Sequence, residues 1–134
     1  MPVSLDPHHL PSWALDFLLE RHLATLTTLR RYSSPHVVPV RFTWDDEACV
    51  ARVITGGDSL KARHAMRGGR AVLCQFEGRR WISLEGEVSV LVHPDPVADA
   101  VRRYALRYRG PRVNPARVVL QIDVDRALGL RESP

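Results

Sequence analysis

The sequence of 134 residues predicts a mainly β fold, a small six-stranded antiparallel barrel with a few helices. Five segments with the alternating pattern of β-strands follow one another, and only one short helix interrupts them. A longer helix and a last β segment complete the chain. The sequence lacks a regular alternation of strands and helices, a GxGxxG element and a Walker loop, so a parallel nucleotide-binding sheet is disfavoured.

Each predicted element has its own local signal. An amphipathic helix is expected from Ser12 to about His22, a short helix after Gly56-Gly57, and a third helix from Val97 to Tyr108 behind two prolines. The predicted strands cover residues 23–31, 36–43, 48–55, 71–77, 81–92 and 117–124. Because the length suffices for one hydrophobic core, we expect one domain over residues 1–134, with residues 1–11 flexible.

Composition limits the location and the partners of the protein. The net charge is +4 and the sequence pI is about 9.7, which favours anionic partners. No stretch approaches the ~20 apolar residues of a membrane span, and the first residues lack the pattern of a secretory signal. We therefore expect a cytoplasmic protein with no membrane contact. Cys49 and Cys74 lie in strand-like runs without CxxC spacing and are expected to be buried, reduced thiols.

Lys61 is the only lysine among nineteen basic residues. A β-branched run ends at Thr55, a glycine pair follows, and Asp58 or Ser59 can cap a short helix that carries Lys61 in its first turn. A hydroxyl, backbone N–H groups and an ammonium converge there, so we predict an anion site with phosphate as the expected ligand. Arg52, on the preceding strand, could add charge. A solvated lysine on a surface helix is the alternative.

Two further segments could line a ligand site. Pro35 and Pro39 remove two hydrogen-bond donors from a predicted strand, which therefore lies at a sheet edge or lines a cavity. Trp81 directly follows a turn, where its ring can stack on a ligand or pack against the core. An ordinary edge strand and a packed tryptophan are the alternatives.

A cluster of basic and aromatic residues surrounds the end of the last helix. It contains Arg102, Arg103, Tyr104, Arg107, Tyr108, Arg109, Arg112 and Arg117. Such a cluster could bind an acidic substrate or contact RNA by charge and stacking, or it could be a solvated helix face. No histidines have metal-ligand spacing and no nucleophile stands beside a base, so we expect neither a metal nor a catalytic side chain. An enzyme of this kind would rely on a bound cofactor.

Several motifs, in the same order along the chain, resemble one protein family. Thr55-x-x-x-Ser59-x-Lys61 resembles the phosphate-binding segment of pyridoxamine-phosphate-oxidase-like split barrels. Roughly residues 12 to 129 are similar to the deazaflavin-dependent branch of that family, which uses coenzyme F420, and in particular to its small biliverdin reductases. The similarity is carried by residues 21–29, 34–40, the Trp81 segment, 103–109 and 114–119.

The resemblance implies a six-stranded, FMN-binding-like split barrel that forms a homodimer with two cofactor sites at the subunit interface. The residues implied to hold the cofactor are Lys61, Ser59, Thr55 and Arg52 near the phosphate, His36, Val38, Pro39 and Val40 along the ring, and Trp81, which could come from the partner subunit. The residues expected on the substrate side are Arg41, Tyr104, Arg107, Tyr108 and Arg109, and parts of the segment 104–109 could also come from the partner subunit.

The implied activity is hydride transfer from reduced coenzyme F420 to a conjugated, acidic small molecule, with reduction of biliverdin to bilirubin as the best match. The arginines could pair with the two propionates of biliverdin, and solvent or a substrate group would supply the proton. Three alternatives stay open: an FMN-dependent oxidoreductase of the same fold, a non-catalytic F420-binding protein and a basic RNA-binding module. The leading interpretation includes no nucleic-acid partner.

Overall fold

The computed structural model describes residues 1–131, so the last three residues of the expected domain lie outside the described part. In these residues the strands are β1 (Val3–Leu5), β2 (Ala24–Leu29), β3 (Pro35–Val40), β4 (Thr43–Asp45), β5 (Val50–Gly56), β6 (Arg70–Glu77), β7 (Arg80–Leu91) and β8 (Arg117–Leu130). The helices are α1 (Ser12–Leu19), α2 (Leu60–Met66) and α3 (Pro94–Arg107), with a 3-10 turn at Pro7–His9.

All eight strands belong to one antiparallel sheet with the order β3-β2-β6-β7-β8-β5-β4, and β1 adds to β8. Alternate residues of the central strands point to one core, because successive side chains of a strand face opposite sides of the sheet. The largest side chains buried there are Phe17, Leu18, Leu26, Phe42, Leu73, Ile82, Leu84, Leu120 and Ile122. Helix α1 contributes to this core through Ala14, Phe17 and Leu18.

The mainly β prediction is confirmed, but the strand count of six is too low. The six expected strands are present, and β1 and β4 are additional. Three residues are too few to show an alternating pattern, which is why the sequence did not reveal either strand. The chain at residues 1–11, expected to be flexible, forms β1 and the 3-10 turn, and it buries Pro7 and Leu10. Strand β8 extends six residues beyond the expected end at Val124, past Asp125 and Arg126.

A β-bulge between Glu85 and Gly86 lets the two longest strands, β7 and β8, bend together. A side chain cannot fit at Gly86, because a Cβ atom there would lie 1.7 Å from the carbonyl oxygen of Asp123. The backbones of the two strands therefore approach more closely here than any other residue type allows.

The guanidinium of Arg107, at the end of α3, is buried inside this framework and is only 7% exposed. Its Nε and Nη2 groups donate to the carbonyl oxygen of Glu20, and Nη1 donates to that of Phe42. Nη2 also donates to Oε1 of Gln75 at 2.7 Å, and Gln75 in turn donates to the Phe17 carbonyl. Burial lowers the pKa of Arg107, but an arginine in a protein stays protonated, so these acceptors hold a buried cation.

We expect Arg107→Met to destabilise the protein strongly, because it removes the charged donor from the carbonyl oxygens of Glu20 and Phe42 and leaves the buried Oε1 of Gln75 without a donor. Since a hydrogen bond to a charged group contributes about 1.5–3 kcal/mol and Arg107 makes several, the free energy of unfolding should fall by roughly 3 kcal/mol or more. Urea unfolding of the variant measures this loss.

The matched control is Arg102→Met on the same helix, whose exposed side chain pairs only with Asp99 among the described residues. Its effect should stay below about 1 kcal/mol, as for other exposed ion pairs. Equal effects of the two substitutions would show that the Arg107 hydrogen bonds add nothing to stability.

Candidate functional site

A cavity of about 400 Å³, here called the first cavity, opens between β3, β5, α2 and the start of β8. Its lining mixes apolar residues with three cationic side chains and one phenol. The lining residues are Leu23, Pro39, Val40, Arg41, Val53, Ile54, Thr55, Gly56, Lys61, Tyr104, Pro111, Asn114 and Arg117.

Lys61 lies on this cavity, as its position in the sequence predicts. It is half-buried in the first turn of α2, and within residues 1–131 it forms no ion pair with a carboxylate. Ser59 is the N-cap of α2, and its Oγ accepts hydrogen bonds from Ala62 N–H at 3.2 Å and from Thr55 Oγ1 at 3.1 Å. The Ser59 hydroxyl therefore keeps only its proton free to donate. The roles of Lys61, Ser59 and Thr55 as cofactor ligands stay predictions.

Arg117 and Asn114 also line the first cavity, although the sequence placed Arg117 only in the basic cluster and predicted neither residue as a cofactor ligand. Arg117 begins β8 and pairs with Gly56 at the end of β5, which brings its side chain to the same cavity as Lys61. Its Nη2 donates to the carbonyl oxygen of Arg112 at 2.6 Å. The Asn114-Pro115-x-Arg117 motif was the available signal, but only the β5–β8 register places it at the cavity.

Strand β3 contributes Pro39 and Val40 to the first cavity, whereas His36 and Val38 are not among its lining residues. His36 instead contacts His64 of α2, with ring centroids 4.8 Å apart and an edge-to-face arrangement. His64 is buried, and its Nδ1 lies 3.0 Å from Thr28 Oγ1. Burial, followed by the nearby charge of His36, lowers the pKa of His64 below its ordinary value.

Arg52 does not reach the first cavity. Its guanidinium donates to Asp45 Oδ2 at 2.9 Å and to Gln121 Oε1 at 3.1 Å, and both members of the Arg52–Asp45 pair are largely buried. Burial alone would raise the pKa of Asp45, but hydrogen bonds from Arg52 and from Ala48 N–H, with the charge of Arg103, outweigh it and lower that pKa. We therefore assign Arg52 to the support of β4 and β5 rather than to the cavity.

Trp81 lies on a separate cavity in the same chain, together with Met1, Gly78, Arg79 and Leu130. It is the second residue of β7, opposite Leu130 of β8, and is half-buried. Within one chain, the structure does not bring Trp81 together with Lys61.

A second cavity of about 430 Å³ adjoins the first, and the two share Leu23 and Arg41. Its lining residues are Arg21, His22, Leu23, Arg41, Tyr108 and Arg109. Arg41 donates to the hydroxyl of Tyr104 at 3.2 Å and lies 5.5 Å from the ring centroid of Tyr108. The hydrogen bond to Tyr104 raises the pKa of Arg41, which therefore stays cationic.

Of the five residues expected on the substrate side, four line the two cavities and Arg107 requires correction. Tyr104 and Arg41 face the first cavity, and Arg41, Tyr108 and Arg109 face the second. Arg107 lines neither, because its guanidinium is buried and bonded to internal acceptors. The sequence could not separate this structural arginine from its exposed neighbours, since every arginine of the cluster has the same local pattern.

The two cavities together suit an anionic, partly apolar ligand. Lys61 and Arg117 supply positive charge on the first cavity, and Arg21, Arg41 and Arg109 supply it on the second. Among the described residues, no acidic side chain lines either cavity. The lining offers no paired nucleophile and base, so the site can bind and orient a reactive group but does not itself provide one.

Comparison with known proteins identifies the family of this chain. Residues 11–131 match the family described as pyridoxamine 5'-phosphate oxidase. The chain belongs to this family. It is also 58% identical, over 116 residues, to a biliverdin reductase of Mycobacterium tuberculosis that depends on reduced coenzyme F420; the match covers 87% of this chain and 85% of that protein.

Solved structures share the same split-barrel fold. A conserved hypothetical protein of Mycobacterium tuberculosis superimposes with a TM-score of 0.74 at 21% identity, over 89% of this chain and 83% of the other. A structure named F420 reductase gives a TM-score of 0.71 at 22% identity, over 88% of this chain and 98% of the other. At these identities the likeness concerns the fold, and it confirms the predicted split-barrel class. No helix within residues 1–131 is long and apolar enough to cross a membrane.

Because the pKa of His64 is lowered in the folded protein, we expect this residue to make the protein less stable at acidic pH. In the unfolded chain a histidine takes up a proton near pH 6.5, whereas folded His64 does so only at lower pH. The unfolded state therefore binds more protons as the pH falls below about 6.5, and the free energy of unfolding decreases. Urea unfolding of the wild type and of His64→Asn, measured from pH 7 to pH 5, should show a flatter profile for the variant. Parallel profiles would contradict this origin of the pH dependence.

Proposed function

We propose that this chain is a reductase that uses reduced coenzyme F420 to reduce a conjugated small molecule, with biliverdin as the acceptor. The observation that carries the proposal is the placement of Lys61 and Arg117 on one cavity, directly beside a second cavity lined by arginines. The 58% identity to an F420-dependent biliverdin reductase, over most of both chains, supports the same activity.

The residues of the first cavity fit a phosphate-bearing deazaflavin. Lys61 and Arg117 would hold the phosphate by charge, and the free proton of Ser59 and the amide of Asn114 are further donors close by. Pro39 and Val40 of β3, with Ile54 of β5, offer an apolar wall for the ring. Once bound, reduced coenzyme F420 supplies a hydride, which is the chemistry that the side chains lack.

The task of the chain is then to position two ligands against each other. Tyr104 and Arg41 lie where the two cavities meet, so they can hold the acceptor beside the first cavity. Fixed contacts at both ends reduce the freedom of the two ligands before reaction. No acidic side chain is placed to give the acceptor a proton, and solvent in the open cavities is its proposed source.

The proposal includes a homodimer with the cofactor at the subunit interface, located in the cytoplasm. Its support is the position of Trp81, which lies on a separate cavity from Lys61. Contact between Trp81 and the cofactor therefore requires a second copy of the chain. Sedimentation equilibrium with and without coenzyme F420 checks the mass, which should be twice the 15.1 kDa of one chain. A monomer at saturating cofactor would rule out the interface site.

Replacing Lys61 with alanine should weaken binding of oxidised coenzyme F420. Loss of a charge-assisted contact of about 1.5–3 kcal/mol corresponds to a rise in Kd of roughly 10- to 150-fold. Arg63→Ala is the matched control, because Arg63 is an exposed cation on the same helix and outside the first cavity. Fluorescence titration measures both Kd values. Wild-type affinity in the Lys61 variant would mean that the phosphate binds elsewhere.

The cofactor itself is tested by titrating the apo-protein with oxidised coenzyme F420 and, separately, with FMN. We expect saturable binding of coenzyme F420 and weaker binding of FMN. The complex with reduced coenzyme should then convert biliverdin, which is followed by loss of the biliverdin absorbance. Preference for FMN would move the protein to an FMN-dependent oxidoreductase, and binding of coenzyme F420 without turnover would favour a non-catalytic carrier.

A further inference from the structure

We infer that the second cavity is a carboxylate-recognition subsite for the hydride acceptor and that Arg21, together with Arg109, determines selectivity for acidic acceptors. The inference rests on the proposed function, because it concerns the molecule that receives the hydride. Arg21 has no expected role from its sequence pattern, and only the folded chain brings it to the cavity.

The charge of the second cavity is the first support for this inference. Three of its six lining residues are arginines, and none of the six is acidic. An anion between three guanidinium groups offsets their mutual repulsion, and a carboxylate accepts hydrogen bonds from a guanidinium in a bidentate geometry.

The available hydrogen-bond donors are the second support. Within residues 1–131, Arg21 donates only its Nε group, to the carbonyl oxygen of Arg107 at 2.9 Å, which fixes the side chain and leaves its terminal N–H groups for a ligand. Arg109 makes no hydrogen bond or ion pair within the described residues. Arg41 is held by Tyr104, so it forms a wall common to both cavities.

A carboxylate in the second cavity could belong to the acceptor or to the cofactor, and the location of the cavity favours the acceptor. The second cavity meets the first at Leu23 and Arg41, beside Tyr104, whereas Lys61 and Arg117 do not line it. An acceptor that spans this junction can place its conjugated system in the first cavity and its acidic groups among the arginines. The chemistry of such an acceptor is a conjugated ring system with flexible carboxylate side chains.

The test compares biliverdin with biliverdin dimethyl ester, which has the same conjugated system without the negative charges. Equilibrium dialysis against the protein saturated with oxidised coenzyme F420 gives the Kd of each compound without turnover. The variants are Arg21→Gln, Arg109→Gln and the control Arg126→Gln, an exposed arginine on β8 outside both cavities. Fluorescence titration of each variant with coenzyme F420 is the parallel measurement.

We expect the wild type to bind the diacid about tenfold or more tightly than the ester, and each cavity variant to lose about tenfold in affinity for the diacid alone. Affinity for the ester and for coenzyme F420 should not change, and the control should match the wild type. Arg109→Gln keeps the test decisive if Arg21→Gln fails to fold, because Arg109 has no internal hydrogen bond to lose.

Three results would overturn the inference. Equal losses for diacid and ester would mean that the arginines pack against the ring system rather than pair with carboxylates. A loss of affinity for coenzyme F420 instead would assign the cavity to carboxylates of the cofactor. Unchanged binding of the diacid in both cavity variants would show that the second cavity does not recognise carboxylates. A wild type that discriminates the diacid but shows no turnover with reduced coenzyme F420 would contradict the proposed function and leave the subsite in place.

Discussion

The buried guanidinium of Arg107 connects the parts of the chain that form the second cavity. Its N–H groups donate to the carbonyl oxygens of Glu20 and Phe42 and to the side chain of Gln75 on β6. The residues of that cavity are the chain neighbours of these groups: positions 21–23 follow Glu20, position 41 precedes Phe42, and positions 108 and 109 follow Arg107. The hydrogen bonds of this one buried cation therefore hold three separate segments of the chain around the second cavity.

The geometry of the first cavity is determined by strand pairing rather than by a buried cation. Its cationic residues are placed by strand register, since Gly56 of β5 pairs with Arg117 of β8, and by the short helix that follows β5 and carries Lys61. Backbone hydrogen bonds between long strands determine this geometry, and no buried charge is needed. Arg41 and Leu23 belong to both cavities, so the two cavities meet at residues that flank neighbouring strands: Leu23 directly precedes β2 and Arg41 directly follows β3.

The sequence predicted the fold class because strand alternation and turn residues are local signals. It also singled out Lys61, Pro39 and Tyr104, which line the first cavity, while their binding roles stay predictions. It could not assign Arg107 to the interior or Arg52 to its pair with Asp45, because the partners of a guanidinium depend on contacts between distant segments. Arg21 was missed, and Arg117 was assigned to the basic cluster rather than to the cavity of Lys61, for the same reason: their sites exist only when separate segments come together.

The arginines of the second cavity also bear on how an enzyme of this kind would turn over. Reduction of a conjugated system leaves carboxylate side chains chemically unchanged, so guanidinium groups that hold them interact alike with substrate, transition state and product. Such uniform binding lowers KM without raising kcat. The same contacts also hold the product, so tighter carboxylate binding slows escape of the reduced molecule from the cavity.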